Sequence, residues 1–158
     1  MARTWNTASD EVHGNGVNPG VDLYHMAPLH RLVEEQMNTE LTPADVLERA
    51  ADGFESGRYG WIQGISHRRM RDGTDRYCST GALHYEAGLR ELEQYQEPER
   101  SLRIRVYRDA DRALEKTIEF DGHGGVAGWN DHKAENLAEV IEKMKEAAKN
   151  LRNKEEAR

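Results

Sequence analysis

The chain has 158 residues, a formal charge of −7, 37% apolar residues and a mean hydropathy of −0.92. That length supports one domain with a modest core, and the periodic apolar segments exclude a wholly disordered chain. No stretch approaches the roughly 20 consecutive apolar residues of a membrane span, and the negative charge disfavours sequence-independent nucleic-acid binding, which needs Lys and Arg against phosphate.

A single cysteine, Cys78, excludes an internal disulfide, and the opening Met1-Ala2-Arg3-Thr4-Trp5-Asn6 lacks the apolar core of a secretory signal. Both point to the cytoplasm. Residues 1–21 carry Gly14, Gly16, Pro19 and Gly20 with no apolar period and read as a mobile arm, in which Trp5 is the one candidate anchor. A globular domain is expected over 22–153, with 154–158 as a frayed tail.

Within that domain, Pro28, Leu29, Leu32 and Val33 give helical spacing over about 28–37. Thr42 then stands as a cap, with Pro43 at the first helical position and Asp45 three residues after the cap. Val46, Leu47, Ala50, Ala51 and Phe54 follow as one apolar stripe, and Gly57 ends it. Tyr59–Ile65 is aromatic, β-branched and broken by glycine, which predicts a short strand or extended loop. His67–Gly73 reads as a polar connection with a turn at Asp72-Gly73.

Helical spacing returns from about Ser79 to Tyr95, and Pro98 stops it. Leu102, Ile104 and Val106 alternate with Arg103, Arg105 and Tyr107, the pattern of a half-buried strand. A helix is then expected from about Asp109 through Ala113, Leu114 and Ile118. Asp121–Gly125 is a loop. Asn136 with Glu139 forms a capping box ahead of a final helix whose stripe is Leu137, Val140, Ile141, Met144, Ala148 and Leu151. The expected class is α+β, mostly helical: four or five helices around a small sheet or extended layer.

Three segments concentrate the unusual residues: Trp61-Ile62-Gln63-Gly64, Cys78-Ser79-Thr80-Gly81-Ala82-Leu83 and Trp129-Asn130-Asp131. In this order, with helices between them, they resemble a family of short uncharacterised actinobacterial and actinophage proteins sharing W-x-Q-G, C-x-x-G-A-L and W-N-D motifs. The resemblance runs from about Thr42 to Leu151 and implies an actinobacterial or phage source. It implies no activity. The first forty residues, the Arg-rich connection after Gly64 and the His123 loop depart from the pattern.

Cys78 at a helix start would have its thiolate favoured by free N–H groups, as in cysteine hydrolases, with His123 or His84 as base, Asn130 or Asp131 as orienter and Gln63 as oxyanion donor. Against this, a cysteine beside Gly81 and Ala82 also fits a small buried residue at a close backbone approach, and the three motifs contain no histidine. Trp61, Gln63, Trp129 and Asn130 are expected to meet, either as a structural cluster around two indoles or as the wall of a small-ligand pocket. Asp131 is expected to face outward or to cap the turn before the last helix. Arg68, Arg69 and Arg71, with Arg76, Arg103 and Arg105, form the one concentration of positive charge and a possible anion contact.

Seven histidines are scattered without ligand spacing, leaving at most a casual site where His123 and His132 lie near Asp121 and Asp131, so no metal or other cofactor is expected. The expectation is a non-catalytic protein that binds another protein, with a Cys78-centred hydrolase or transferase as the alternative.

Overall fold

The computed structural model describes residues 41–157. The expected arm over 1–21, its Trp5 and the helix over 28–37 lie outside them. Five α-helices and a three-stranded sheet follow in order: α1 (Pro43–Glu55), β1 (Gly60–Trp61), β2 (His67–Arg69), β3 (Asp75–Tyr77), α2 (Ser79–Glu86), a 3-10 turn (Leu89–Gln94), α3 (Glu99–Ile118), α4 (Gly125–His132) and α5 (Leu137–Glu156). The class is α+β and mostly helical.

The start of α1 is as the sequence dictates. Thr42 Oγ1 accepts from Asp45 N–H at 3.1 Å, and Asp45 Oδ2 accepts from Thr42 N–H at 2.8 Å, a complete capping box. The stripe Val46, Leu47, Ala50, Ala51 and Phe54 is buried throughout. It packs chiefly on α5, whose Val140, Met144, Ala147 and Ala148 are buried while Leu137, Ile141 and Leu151 sit half-buried at the margins. Arg152 fastens the two helices at their ends, donating to Asp45 Oδ1 at 2.6 Å and Glu48 Oε2 at 2.9 Å. The cap of α5 differs in one detail. Asn136 Oδ1 accepts from Glu139 N–H at 3.0 Å, but the Glu139 carboxylate accepts from Glu135 N–H rather than from the cap residue. The stretch 154–156 continues α5 as helix.

Four expectations are corrected. Leu102, Ile104 and Val106 belong to the helix α3, not to a strand: Val106, Ala110 and Leu114, spaced by four, are its buried residues. The alternation is real over five residues, but the buried set continues only at helical spacing. The single helix expected over 79–95 breaks after Glu86, where Gly88 adopts φ 75°, and resumes as the 3-10 turn. The connection after Ile65 contains a strand, β2, which pairs antiparallel with β3 around the turn at Asp72-Gly73. Finally, the turn expected at Asp131 before the last helix is itself part of a helix, α4, which holds Trp129-Asn130-Asp131 and which the glycines at 124, 125 and 128 obscure.

The sheet has the order β1-β3-β2, with β1 parallel to β3 and β2 antiparallel to it. In register, Trp61, Tyr77 and His67 share the inward face, while Gly60, Arg76 and Arg68 share the outward one. α2 leaves the end of β3 directly. Cys78 N–H and the bare Cα of Gly81 both meet the carbonyl of Ser66, and a Cβ at Gly81 would lie 2.0 Å from that oxygen. Glycine is required there because two backbones touch.

Candidate functional site

The three motif segments converge on one side chain. Asn130, fully buried in α4, places Oδ1 where it accepts from Trp61 Nε1 at 2.7 Å, Ser79 N–H at 3.0 Å and Ser79 Oγ at 2.7 Å. Its Nδ2 donates to the carbonyl of Ile62 at 3.2 Å and to Asp131 Oδ1 at 2.9 Å. One amide thus ties the segment after β1, the start of α2 and α4 together. Gln63 completes the junction from the rim: its Nε2 donates to the carbonyls of Asn130 at 2.7 Å and Ala134 at 3.2 Å, near the end of α4. Asp131, expected to face outward or to cap the turn before the last helix, is half-buried, and the cap of that helix is Asn136. Asp131 Oδ1 accepts from Gly64 N–H at 2.8 Å.

Of the four residues expected to cluster, Trp61, Gln63 and Asn130 are joined by hydrogen bonds, while Trp129 is buried in the core beside Asn130 in sequence. The pocket alternative is not what the geometry offers: Trp129 is 2% exposed in the core, the Trp61 N–H is bonded to Asn130, and the Gln63 amide nitrogen is committed to carbonyls.

Cys78 is the cap residue of α2 and is 5% exposed. Its Sγ accepts from Gly81 N–H at 3.3 Å, and no histidine among the described residues hydrogen-bonds it. Burial pushes the thiol up from its ordinary range. The Gly81 N–H pulls it down, and the Asp131 carboxylate adds to the rise. The helix-start effect that favours a thiolate is present, and burial outweighs it. His123 lies exposed in the turn before α4, its carbonyl packed against Gly128, and His84 makes an edge contact with Tyr107 at 5.6 Å between ring centres.

The arginine concentration is divided by the sheet. Arg69 shares the inward-facing register with Asp75, to which it is paired at 3.3 Å, whereas Arg68 stands directly opposite Arg76 on the outward face. Arg71 is exposed in the turn between β2 and β3, and Arg103 and Arg105 belong to α3, with Arg103 bonded to Glu99 at 2.9 Å.

A cleft of about 510 Å³, lined in part by His67, Tyr77, Thr80, His84, Arg90 and Tyr107, opens between the hairpin, α2 and α3. Sequence reasoning did not find it, because Arg90 and His67 carry no motif and are brought together only by the register. Arg90 donates to the Tyr77 hydroxyl at 2.6 Å and to His67 Nδ1 at 2.9 Å. An arginine cannot accept, so the imidazole keeps its hydrogen on Nε2 and donates it to Asp75 Oδ1 at 2.8 Å. That bond foremost holds the Asp75 carboxyl below the usual carboxylate range. Thr80 Oγ1, on a residue of the cleft wall, and Asp111 Oδ1 are buried without hydrogen-bond partners. Thr80 lies near enough to favour the Asp111 carboxylate but outside bonding geometry, while burial and Glu115 push that carboxyl up.

Among the described residues no three His, Cys, Asp or Glu side chains are grouped to hold a metal ion, and no helix is long and apolar enough to cross a membrane. Residues 38–150 match the model of a family of unknown function, DUF6197. Neither the curated proteins nor the solved structures contain a match.

Proposed function

The chain belongs to DUF6197, a family of unknown function, and from the site just described we propose that it is a non-catalytic accessory protein that acts by binding another protein. The observation that carries this reading is the fate of the motif atoms. The Asn130 amide, the Gln63 nitrogen and the Trp61 N–H are all committed to joining three chain segments, and the Cys78 sulfur is buried as a helix cap. A catalytic thiol needs a base within about 3 Å and an oxyanion donor that is free to turn toward substrate. Here the candidate donor already serves two carbonyls. The motifs read as scaffold, which leaves binding to the surface.

The setting we propose is the cytoplasm of an actinobacterium or of a cell infected by its phage, which the motif resemblance and the single unpaired cysteine both support. Cross-linking in actinobacterial lysate tests the reading. The parent and Cys78→Ser are expected to cross-link to the same protein, with neither carrying a covalent adduct by intact mass. An acyl adduct on Cys78, or loss of capture by a folded Cys78→Ser, would return the chain to the cysteine hydrolases and transferases.

A further inference from the structure

The chain is acidic overall, yet residues 58–90 hold six arginines against three carboxylates. Within that stretch, Arg68 and Arg76 are exposed and directly opposite each other across β2 and β3. Side chains so placed stand about 5 Å apart, and like charges there oppose pairing. Among the described residues no carboxylate is paired with either. Asp75 points to the other face, toward His67 and Arg69, and Asp72 Oδ1 is bonded to Thr74 N–H and Oγ1, although it lies close enough to feel Arg76. On the third strand the position in line is Gly60, and the methylenes of Arg76 lie across it, with Cγ 3.1 Å from where a Cβ would stand. The outward sheet face is thus a flat row carrying two guanidinium groups at a cost to the hairpin, with Arg71 following in the adjoining turn.

We propose that this face is the docking surface for an extended acidic segment of a protein partner. Carboxylates at alternate residues of an extended chain lie about 7 Å apart on one side, a spacing that two opposed guanidinium groups can span with bidentate bonds. A nucleic acid fits less well, because the patch is only about three residues long and the chain as a whole is acidic, so its net charge opposes the approach of a long polyanion. This inference rests on the protein-binding reading and names its surface.

The test uses the full chain and two labelled probes at low salt, on the order of 20 mM: a peptide alternating glutamate and glycine, and an oligothymidylate of matched charge. Arg68→Glu replaces the like-charge pair by an opposite one, so it should weaken the peptide by roughly tenfold or more while raising Tm by roughly 1–3 °C. Arg108→Glu, an exposed site on α3 with the same change in net charge, should alter peptide binding by less than about twofold. The inference is overturned if the peptide does not bind the parent, if the oligothymidylate binds more tightly than the peptide, if Arg68→Glu and Arg108→Glu weaken the peptide equally, or if Arg68→Glu lowers Tm. Any of these leaves the protein-binding reading to the cross-linking comparison, which does not depend on this face.

Discussion

The indole N–H of Trp61 donates to Oδ1 of Asn130 at 2.7 Å, across 69 positions of sequence, and the same oxygen accepts from the Ser79 backbone and hydroxyl. Removing that amide strands several buried groups together. Asn130→Ala should destabilise the domain by about 3 kcal/mol or more, since each unsatisfied buried group costs about 1–3 kcal/mol. Gln63→Ala, at the exposed rim of the same junction, should cost only about 1 kcal/mol. Chemical denaturation of both variants checks the order. Equal losses would show that Asn130 is not the centre of the network.

Gly81→Ala should be among the most damaging methyl additions in the chain. The new Cβ would sit 2.0 Å from the Ser66 carbonyl, and backbone on both sides leaves no flexible side chain to yield. Separating α2 from the segment before β2 should cost about 1–3 kcal/mol, within the range of overpacking. Thermal melting beside Gly57→Ala separates crowding from backbone strain, because Gly57 has positive φ and open space around its Cα.

Asp111→Asn should stabilise the domain near neutral pH. The Asp111 carboxyl is pushed up by burial first and by Glu115 second, and its Oδ1 has no partner. A carboxyl raised in the folded state carries no penalty below its unfolded value. The penalty grows as pH rises through the gap and is complete above the folded value. The gain in Tm from the amide should therefore be larger at pH 7 than at pH 4. A gain that is larger in acid would contradict the burial argument.

Much of this was legible in the residues. The caps at Thr42 and Asn136 and the stripes behind them are local chemistry, so α1 and α5 could be read directly. The meeting of Trp61 and Gln63 with Asn130 was legible for a different reason: both segments are short, polar and aromatic, and neither explains itself alone. The strand β2 was hidden because His67-Arg68-Arg69 has no apolar alternation, and its pairing comes from the turn and from β3. The segment 102–106 misled because alternation over five residues also fits one helix face when Val106 is followed by Ala110 and Leu114. The cleft at Arg90 was out of reach, since its residues are joined by register and by the break at Gly88 rather than by spacing.

The central claim, that the motif residues build a scaffold and not an active site, meets its most direct test at Cys78. The measurement is the rate of iodoacetamide alkylation of the folded chain against pH, beside the denatured chain. A buried cap with its thiol pushed up should react at least about 100-fold more slowly than the denatured thiol at pH 7, with no plateau below the ordinary thiol range. Fast alkylation that levels off below pH 7 would reveal a poised thiolate and contradict the account.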